Sequence, residues 1–269
     1  MTGLGEASKN TWYHTIDLPD GPTPGYFDTR QAPKFVPWPS ELRSGRCLDV
    51  GTFDGFWAFE MERRGAAEVV ALDLADPEAL DWAYDHRTTG PATIRDVGSQ
   101  RRVGFEKTSA AVGSSARWTN QSVYDLDPER NGLFDVVFCG ALLLHLRDPI
   151  RAMEAMRTVC RGSLVLAETI DPTLELLARP VAAARFAPDL DQWWRPNSAG
   201  LISMTRRAGF TVQEVSPRFV VPFGRSPWAP KNQPRLPKLL ARGRGGAGIL
   251  HRALRATPRP PDDAPIVGH

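Results

Sequence analysis

Between Arg46 and Gly55 the chain reads Arg-Cys-Leu-Asp-Val-Gly-Thr-Phe-Asp-Gly, and the amphipathic run Phe56 to Arg64 follows at once. This juncture constrains the fold more than any other stretch. A short apolar strand that runs out into glycines and then into a helix presents bare backbone N–H groups and the positive end of a helix dipole to a ligand. The next apolar run, Glu68 to Leu72, ends on Asp73, close to the roughly 20-residue spacing at which an acidic residue meets a ribose. Gly51 and Gly55 allow a tight turn and close approach, and the Asp73 carboxylate can accept from two hydroxyls. The D-x-G-x-x-x-G pattern of Asp49 to Gly55 leaves less room for a pyrophosphate than G-x-G-x-x-G does. The competing reading is a structural glycine turn in an unrelated α/β protein.

The flanking pattern alternates strand and helix. Strands are predicted at 46–50, 68–73, 116–123, 133–139, 162–167 and 210–217, and helices at 54–65, 77–86, 149–159 and 198–208. Residues 88–104 have little periodicity and read as loop or broken helix. The run Leu133 to Cys139 is too continuously apolar to face water on either side. Such alternation predicts an α/β fold, a mostly parallel central sheet covered by helices on both faces. Residues 1–40 are rich in Pro, Gly and aromatics and read as an N-terminal lid or as an arm laid on the core. The core spans 41–220, with a cap at 171–196 that is helical and then aromatic. Residues 221–269 read as a basic Pro/Gly-rich insertion with a weak last strand over Ile249 to Thr257.

Composition excludes some classes. A hydrophobic fraction of 42% and a charged fraction of 24% describe a globular protein with a substantial core. The longest apolar run, Val136 to Leu146, is far short of a membrane span. The polar N-terminus has no signal-peptide pattern, so the cytoplasm is expected. Cys47, Cys139 and Cys160 form no disulfide framework and no zinc-type C-x-x-C. Ten of the 33 Lys+Arg but only 2 of the 31 Asp+Glu lie from Arg218 onward, a basic portion that could meet phosphates or simply be solvated.

Leu48 to Gly55 resembles motif I of the class I S-adenosylmethionine (SAM) methyltransferases, which have a Rossmann-like fold. The resemblance extends through Phe134 to Phe138, Leu142 to Pro149, Trp194-Arg195-Pro196-Asn197 and Ala208-Gly209-Phe210. It points to the branch holding the wobble-uridine tRNA methyl and carboxymethyl transferases and many bacterial relatives. It implies that Asp49, Gly51, Thr52, Phe53, Asp54 and Gly55 seat the methionine end of SAM, Asp73 the ribose and Leu74 the adenine. Ser122 and Val123 fall at the adenine edge, where relatives often have Asp, and Cys139 and Gly140 beneath the sulfonium. Phe53 departs from the family, many members of which have glycine there. Carboxymethylating enzymes of the branch place a tyrosine before the motif histidine to bind the extra carboxylate of carboxy-SAM. Leu144 holds that position here, which favours plain SAM.

Methyl transfer chiefly requires alignment of nucleophile, methyl and sulfur. A hydroxyl acceptor also needs a base, and His14 and His145 are the candidates. Each has a plainer role open to it, a lid contact for His14 and a loop-shaping hydrogen bond for His145. Trp193, Trp194 and Asn197 are candidate substrate contacts, with anchoring of the cap as the plain reading of the tryptophans. Glu168 and Asp171 have no third carboxylate nearby in sequence, and no metal is expected. The expected function is SAM-dependent methylation of a small molecule, at oxygen. High Arg, Ala and Pro usage is associated with sources in which such enzymes tailor natural products. Alternatives are a tRNA wobble-uridine enzyme and a SAM-binding protein that transfers no methyl group.

Overall fold

The structure is a computed structural model that describes residues 12–83, 101–177, 181–186, 191–230, 235–244 and 248–260. In the N-terminal segment β1 (Asp17–Leu18) and β2 (Gly21–Pro22) pair as a small hairpin. There follow β3 (Arg46–Val50), α1 (Phe56–Arg63), β4 (Glu68–Asp73), α2 (Arg101–Val112), β5 (Arg117–Asn120), the short α3 (Pro128–Asn131), β6 (Phe134–Gly140), α4 (Pro149–Val159) and β7 (Cys160–Thr169). After these come β8 (Ala184–Phe186), β9 (Trp194–Pro196), α5 (Ser198–Arg207), β10 (Phe210–Val215), β11 (Phe219–Pro222), α6 (Arg235–Leu240) and β12 (Gly248–Pro258).

The main sheet has the order β10-β12-β7-β6-β3-β4-β5, with β11 also pairing β12. Strands β5, β4, β3, β6 and β7 are parallel, while β12 runs antiparallel to β7, β10 and β11. This is the Rossmann-like architecture that strand–helix alternation demands. Chain order reverses between β3 and β6, so the crevice at their carboxyl ends is the natural ligand site of an open α/β sheet. Both faces are buried. Leu48, Val50, Val137 and Leu254 belong to one apolar cluster, and Cys47, Val136, Phe138 and Ala253 to the other. The N-terminal segment joins the second cluster through Ile16, Ala32, Val36 and Leu42, and Trp38 stacks on Phe138 at 5.4 Å.

Local chemistry sets several boundaries. Pro149 opens α4 behind Asp148, whose carboxylate accepts from Arg151 N–H, and Asn197 caps α5 by accepting from Gly200 N–H at 2.7 Å. Gly209, at φ +86°, ends α5.

Four expectations are corrected. Only Pro77–Ala79 of the expected 77–86 helix winds, as a single 3-10 turn, and 84–86 lie outside the described residues. Asp81 instead accepts from the Tyr124 hydroxyl at 2.6 Å and from Arg147 N–H at 3.0 Å, which draws the chain toward β6. Helix α2 has no counterpart in the sequence reading. It buries only Gly104, Phe105 and Thr108, a stripe too narrow to register as periodicity. Among its described residues the segment 171–196 is not helical beyond one 3-10 turn at Leu174–Leu176 and contains the hairpin β8–β9. There the Asp171 carboxylate accepts from the N–H groups of Thr173 and Leu174 and turns the chain. Finally, the weak last strand is the long core strand β12, and the expected insertion before it contributes the end of β11 and all of α6.

Because β12 is central to the sheet, it carries a stability prediction. Leu254 is fully buried, and Leu254→Ala should cost about 2–5 kcal/mol, read as a lowered midpoint in urea denaturation.

Candidate functional site

The turn after β3 is built for close approach. Gly55 sits at φ +94°, and a Cβ there would run into the Phe59 ring. Phe53, a residue with a side chain, also occupies the left-handed region at φ +53°, at a cost of about 1–2 kcal/mol. Three interactions hold it there. Its N–H donates to Asp73 Oδ2 at 2.9 Å, and its ring is stacked against Tyr13 at 4.6 Å and meets the Arg101 guanidinium at 4.8 Å. Asp73, at the end of β4, also accepts from Leu74 N–H at 2.8 Å and Arg101 Nη1 at 2.9 Å, both on Oδ1. Asp49 lies beneath the turn, its carboxyl pushed up to about 7 by burial. Asp49 Oδ2 and Thr52 Oγ1 are buried without a hydrogen-bond partner.

Asp54 is directed elsewhere. One of its oxygens accepts from Tyr13 N–H at 3.0 Å and His14 N–H at 2.8 Å, and the other pairs with His14 Nδ1. Both side chains are buried. A carboxylate accepts only, so Nδ1 carries a proton, and in the neutral ring Nε2 is the acceptor. His145 is fixed more loosely, with Nδ1–H donating to the carbonyl of Asp191 at 2.6 Å.

Two cavities adjoin at this point. The smaller, about 190 Å³, is lined by Gly51, Phe53, Asp73, Leu74, Ser122 and Val123 among others. The larger, about 430 Å³, is walled mainly by rings, including Trp12, Tyr26, Phe27, Trp57, Phe219 and Phe223. Tyr13, His14, Gly140, Ala141, His145 and Asp191 line both. At Gly140 a Cβ would come within 2.9 Å of the Phe138 ring and 3.0 Å of Trp57 Nε1, so the common wall is bare backbone at that point.

The remaining sequence candidates lie outside both cavities. Trp193 and Trp194 spend their indole N–H groups on the carbonyls of Asp81, at 2.6 Å, and Arg147, at 3.1 Å, which ties the cap to the core. The Asn197 amide donates to the carbonyls of Leu174 and Val181. Cys139 is buried against Glu168, whose Oε1 accepts from Leu142 and Leu143 N–H and holds the loop after β6. Burial pushes the Glu168 carboxyl up to about 8. Among the described residues no group of three or more His, Cys, Asp or Glu could hold a metal ion. Among them, too, no helix is long and apolar enough to cross a membrane. The sequence reading missed Tyr13, Arg101, Asp191, Thr169 and His251. Only Tyr13, adjoining a candidate histidine, carried a local signal.

A family model described as "Methyltransferase domain" matches residues 28–215. The chain is 28% identical over 226 residues to a protein named ubiquinone biosynthesis O-methyltransferase from Xanthomonas euvesicatoria pv. vesicatoria (strain 85-10), covering 81% of this chain and 82% of that one. It is 27% identical over 171 residues to a tRNA U34 carboxymethyltransferase of Pseudomonas aeruginosa (strain LESB58), covering 63% of this chain and 46% of the relative, so it spans less than half of that protein. Its fold is similar to the crystal structure of the N-terminal domain of EvdMO1 in the presence of SAH and D-fucose, with TM-score 0.55, 14% identity and 94% of each chain covered.

Glu168 gives the site a pH signature. Its value in the folded chain, about 8, lies above the ordinary 4.5. Its contribution to stability is therefore complete below the ordinary value and is lost as pH rises through the folded one. Glu168→Gln keeps an oxygen for both N–H groups and cannot ionise. In urea titrations the variant should match the wild type near pH 4 and unfold at higher urea above about pH 8. Parallel pH dependences in the two proteins would refute this.

Proposed function

This chain belongs to the methyltransferase-domain family as a class I, S-adenosylmethionine-dependent methyltransferase, and we propose that it methylates a small molecule at a hydroxyl oxygen. One observation carries this reading: two adjoining cavities with His14 in their common wall. The larger has the size and the apolar lining of a small-molecule site.

The residues around the smaller cavity fit SAM. Among the described residues Asp73 Oδ2 takes only the Phe53 N–H, which leaves a lone pair for a ribose hydroxyl. Leu74 and Val123 offer apolar flanks to an adenine, and Gly51 would face the methionine end. Leu144 lines the larger cavity and can pair with no carboxylate, so plain SAM fits better than its carboxylated form. When bound, SAM supplies a methyl group on a sulfonium, already activated for in-line displacement. The protein aligns the acceptor and removes its proton. Asp54 fixes the His14 ring and its tautomer, and Nε2 takes the hydroxyl proton as the oxygen becomes nucleophilic. His145, anchored to Asp191, lines both cavities as well. Tailoring of secondary metabolites suits a cavity lined this way.

A tRNA acceptor is the alternative raised by the carboxymethyltransferase relatives. The basic C-terminal portion gives it little support, because several of its charges are engaged within the chain. Arg218 pairs with Glu175 and Arg255 with Glu214, while Arg252 donates to the Ser216 carbonyl and the Ser198 hydroxyl. Binding of cofactor without transfer is the third reading, and release of S-adenosylhomocysteine with a phenolic acceptor would exclude it.

Two variants test the assignment. Asp73→Ala should weaken S-adenosylhomocysteine binding about ten- to a hundredfold in isothermal titration. His14→Asn should leave that affinity unchanged and lower kcat on a phenolic acceptor by about 100-fold or more. An unchanged kcat would remove His14 as the base. Salt-sensitive methylation of tRNA, with no small molecule accepted, would replace the small-molecule reading.

A further inference from the structure

The larger cavity holds a polar pair that the methyl-transfer reading leaves unused. His251 of β12 lies opposite Thr169 of β7 in the antiparallel register, and both are buried. Both line the larger cavity, as His14 does, but unlike His14 neither lines the smaller one. Around them the lining is largely apolar, with Phe219 stacked on the imidazole at 5.8 Å.

The hydrogen bonds fix the polarity of this pair. His251 Nδ1 lies 3.0 Å from the carbonyl of Ile249, which can only accept, so Nδ1 carries the proton. Burial, together with the nearby charge of Arg195, pulls the imidazolium down to about 4, so the ring is neutral and Nε2 is a bare acceptor. The Thr169 hydroxyl, 3.2 Å from Nε2, therefore donates to it. With its one proton committed, Thr169 Oγ1 has only lone pairs to offer the cavity. The chain Ile249 O, His251, Thr169 thus ends in an uncharged acceptor set in an apolar wall. A ligand group with a proton to give gains a hydrogen bond there. An ether or a bare ring leaves that acceptor desolvated and unpaired, which is the arrangement by which buried sites discriminate most sharply.

We propose that Thr169, oriented by His251, is a specificity-determining residue that selects acceptors carrying a second, uncharged hydrogen-bond donor remote from the hydroxyl that is methylated. The ligand class is a flat aromatic molecule with two hydroxyls on opposite sides, one facing His14 and the other Thr169. This rests on the small-molecule reading of the larger cavity, but its test reads binding and not turnover.

The experiment is isothermal titration of the full chain saturated with S-adenosylhomocysteine. The ligands are a naphthalenediol with its hydroxyls at opposite ends, its monomethyl ether, the parent naphthol and the corresponding hydroxynaphthoic acid. The diol should bind about tenfold tighter than the ether and the naphthol. Thr169→Val, which keeps the branched shape and removes the oxygen, should abolish that preference, and Thr169→Ser should retain it. S-adenosylhomocysteine affinity should stay unchanged in both variants, which separates loss of selectivity from loss of fold. Equal binding of diol and ether, no binding of the diol, tighter binding of the hydroxy acid, or a preference that survives in Thr169→Val would each overturn the proposal. Failure of the methyl-transfer reading looks different: the diol binds selectively and no methylated product forms with SAM.

Discussion

The Asp54 carboxylate joins the parts of the molecule that the site requires. It leaves the turn after β3 and accepts two consecutive backbone N–H groups, of Tyr13 and His14, while its second oxygen takes the His14 ring. Both bonds to His14 are buried, where a hydrogen bond to a charged acceptor is strong and an unmet one expensive. One side chain therefore sets the backbone path of the N-terminal segment, the orientation of the histidine and its tautomer. The segment is further fixed by a bridge from His14 to Phe27 and by one from Phe27 to Phe223. The N-terminal segment thus walls both cavities and continues into the β11 side of the sheet through Phe27 and Phe223.

Phe53 makes sense only beside that wall. A side chain at positive φ is strained, and a turn of this kind ordinarily prefers glycine. Its ring stacks on Tyr13 and meets Arg101, whose guanidinium also pairs with Asp73. The turn, the lid, α2 and the end of β4 meet at this one ring. The phenol of Tyr13, buried in the same contact and surrounded by Asp191 and Asp54, is held well above the ordinary tyrosine range and stays protonated. The cost of the unusual dihedral is offset by contacts that a glycine could not make.

Much of the parallel half of the sheet was legible in the sequence, because strands buried on both faces leave continuous apolar runs and α4 begins at Asp148-Pro149. Asp73 and the glycines were legible for the same reason: the turn chemistry is local. What escaped depends on contacts far apart in the chain. Residue 54 reads as one more turn residue until the segment 40 positions upstream is folded onto it. Strand β12 alternates weakly because it is buried between β7 and β10, so its small residues Ala253 and Ala256 signal close packing and not amphipathicity. The tryptophans at 193 and 194 advertise a ring wall by composition, yet their N–H groups commit both to anchoring the cap. The rings that do wall the larger cavity are scattered from Trp12 to Phe223, and no window of sequence shows them together.

That scatter has a consequence for how such a protein can change. The smaller cavity draws largely on the ends of β3 and β4, the turn beside them and the start of the β5 loop, whose geometry also holds the sheet together. The larger cavity draws much of its lining from the N-terminal segment, the end of the segment 171–196 and the β11 side of the sheet, peripheral pieces laid against the same core. Substitutions in those pieces can reshape the larger cavity while the smaller one and the sheet stay intact. On the proposed reading, with cofactor in the smaller cavity and acceptor in the larger, the two halves of the reaction are encoded in largely separate stretches of the chain and meet at a histidine, so selection can act on one half while holding the other constant.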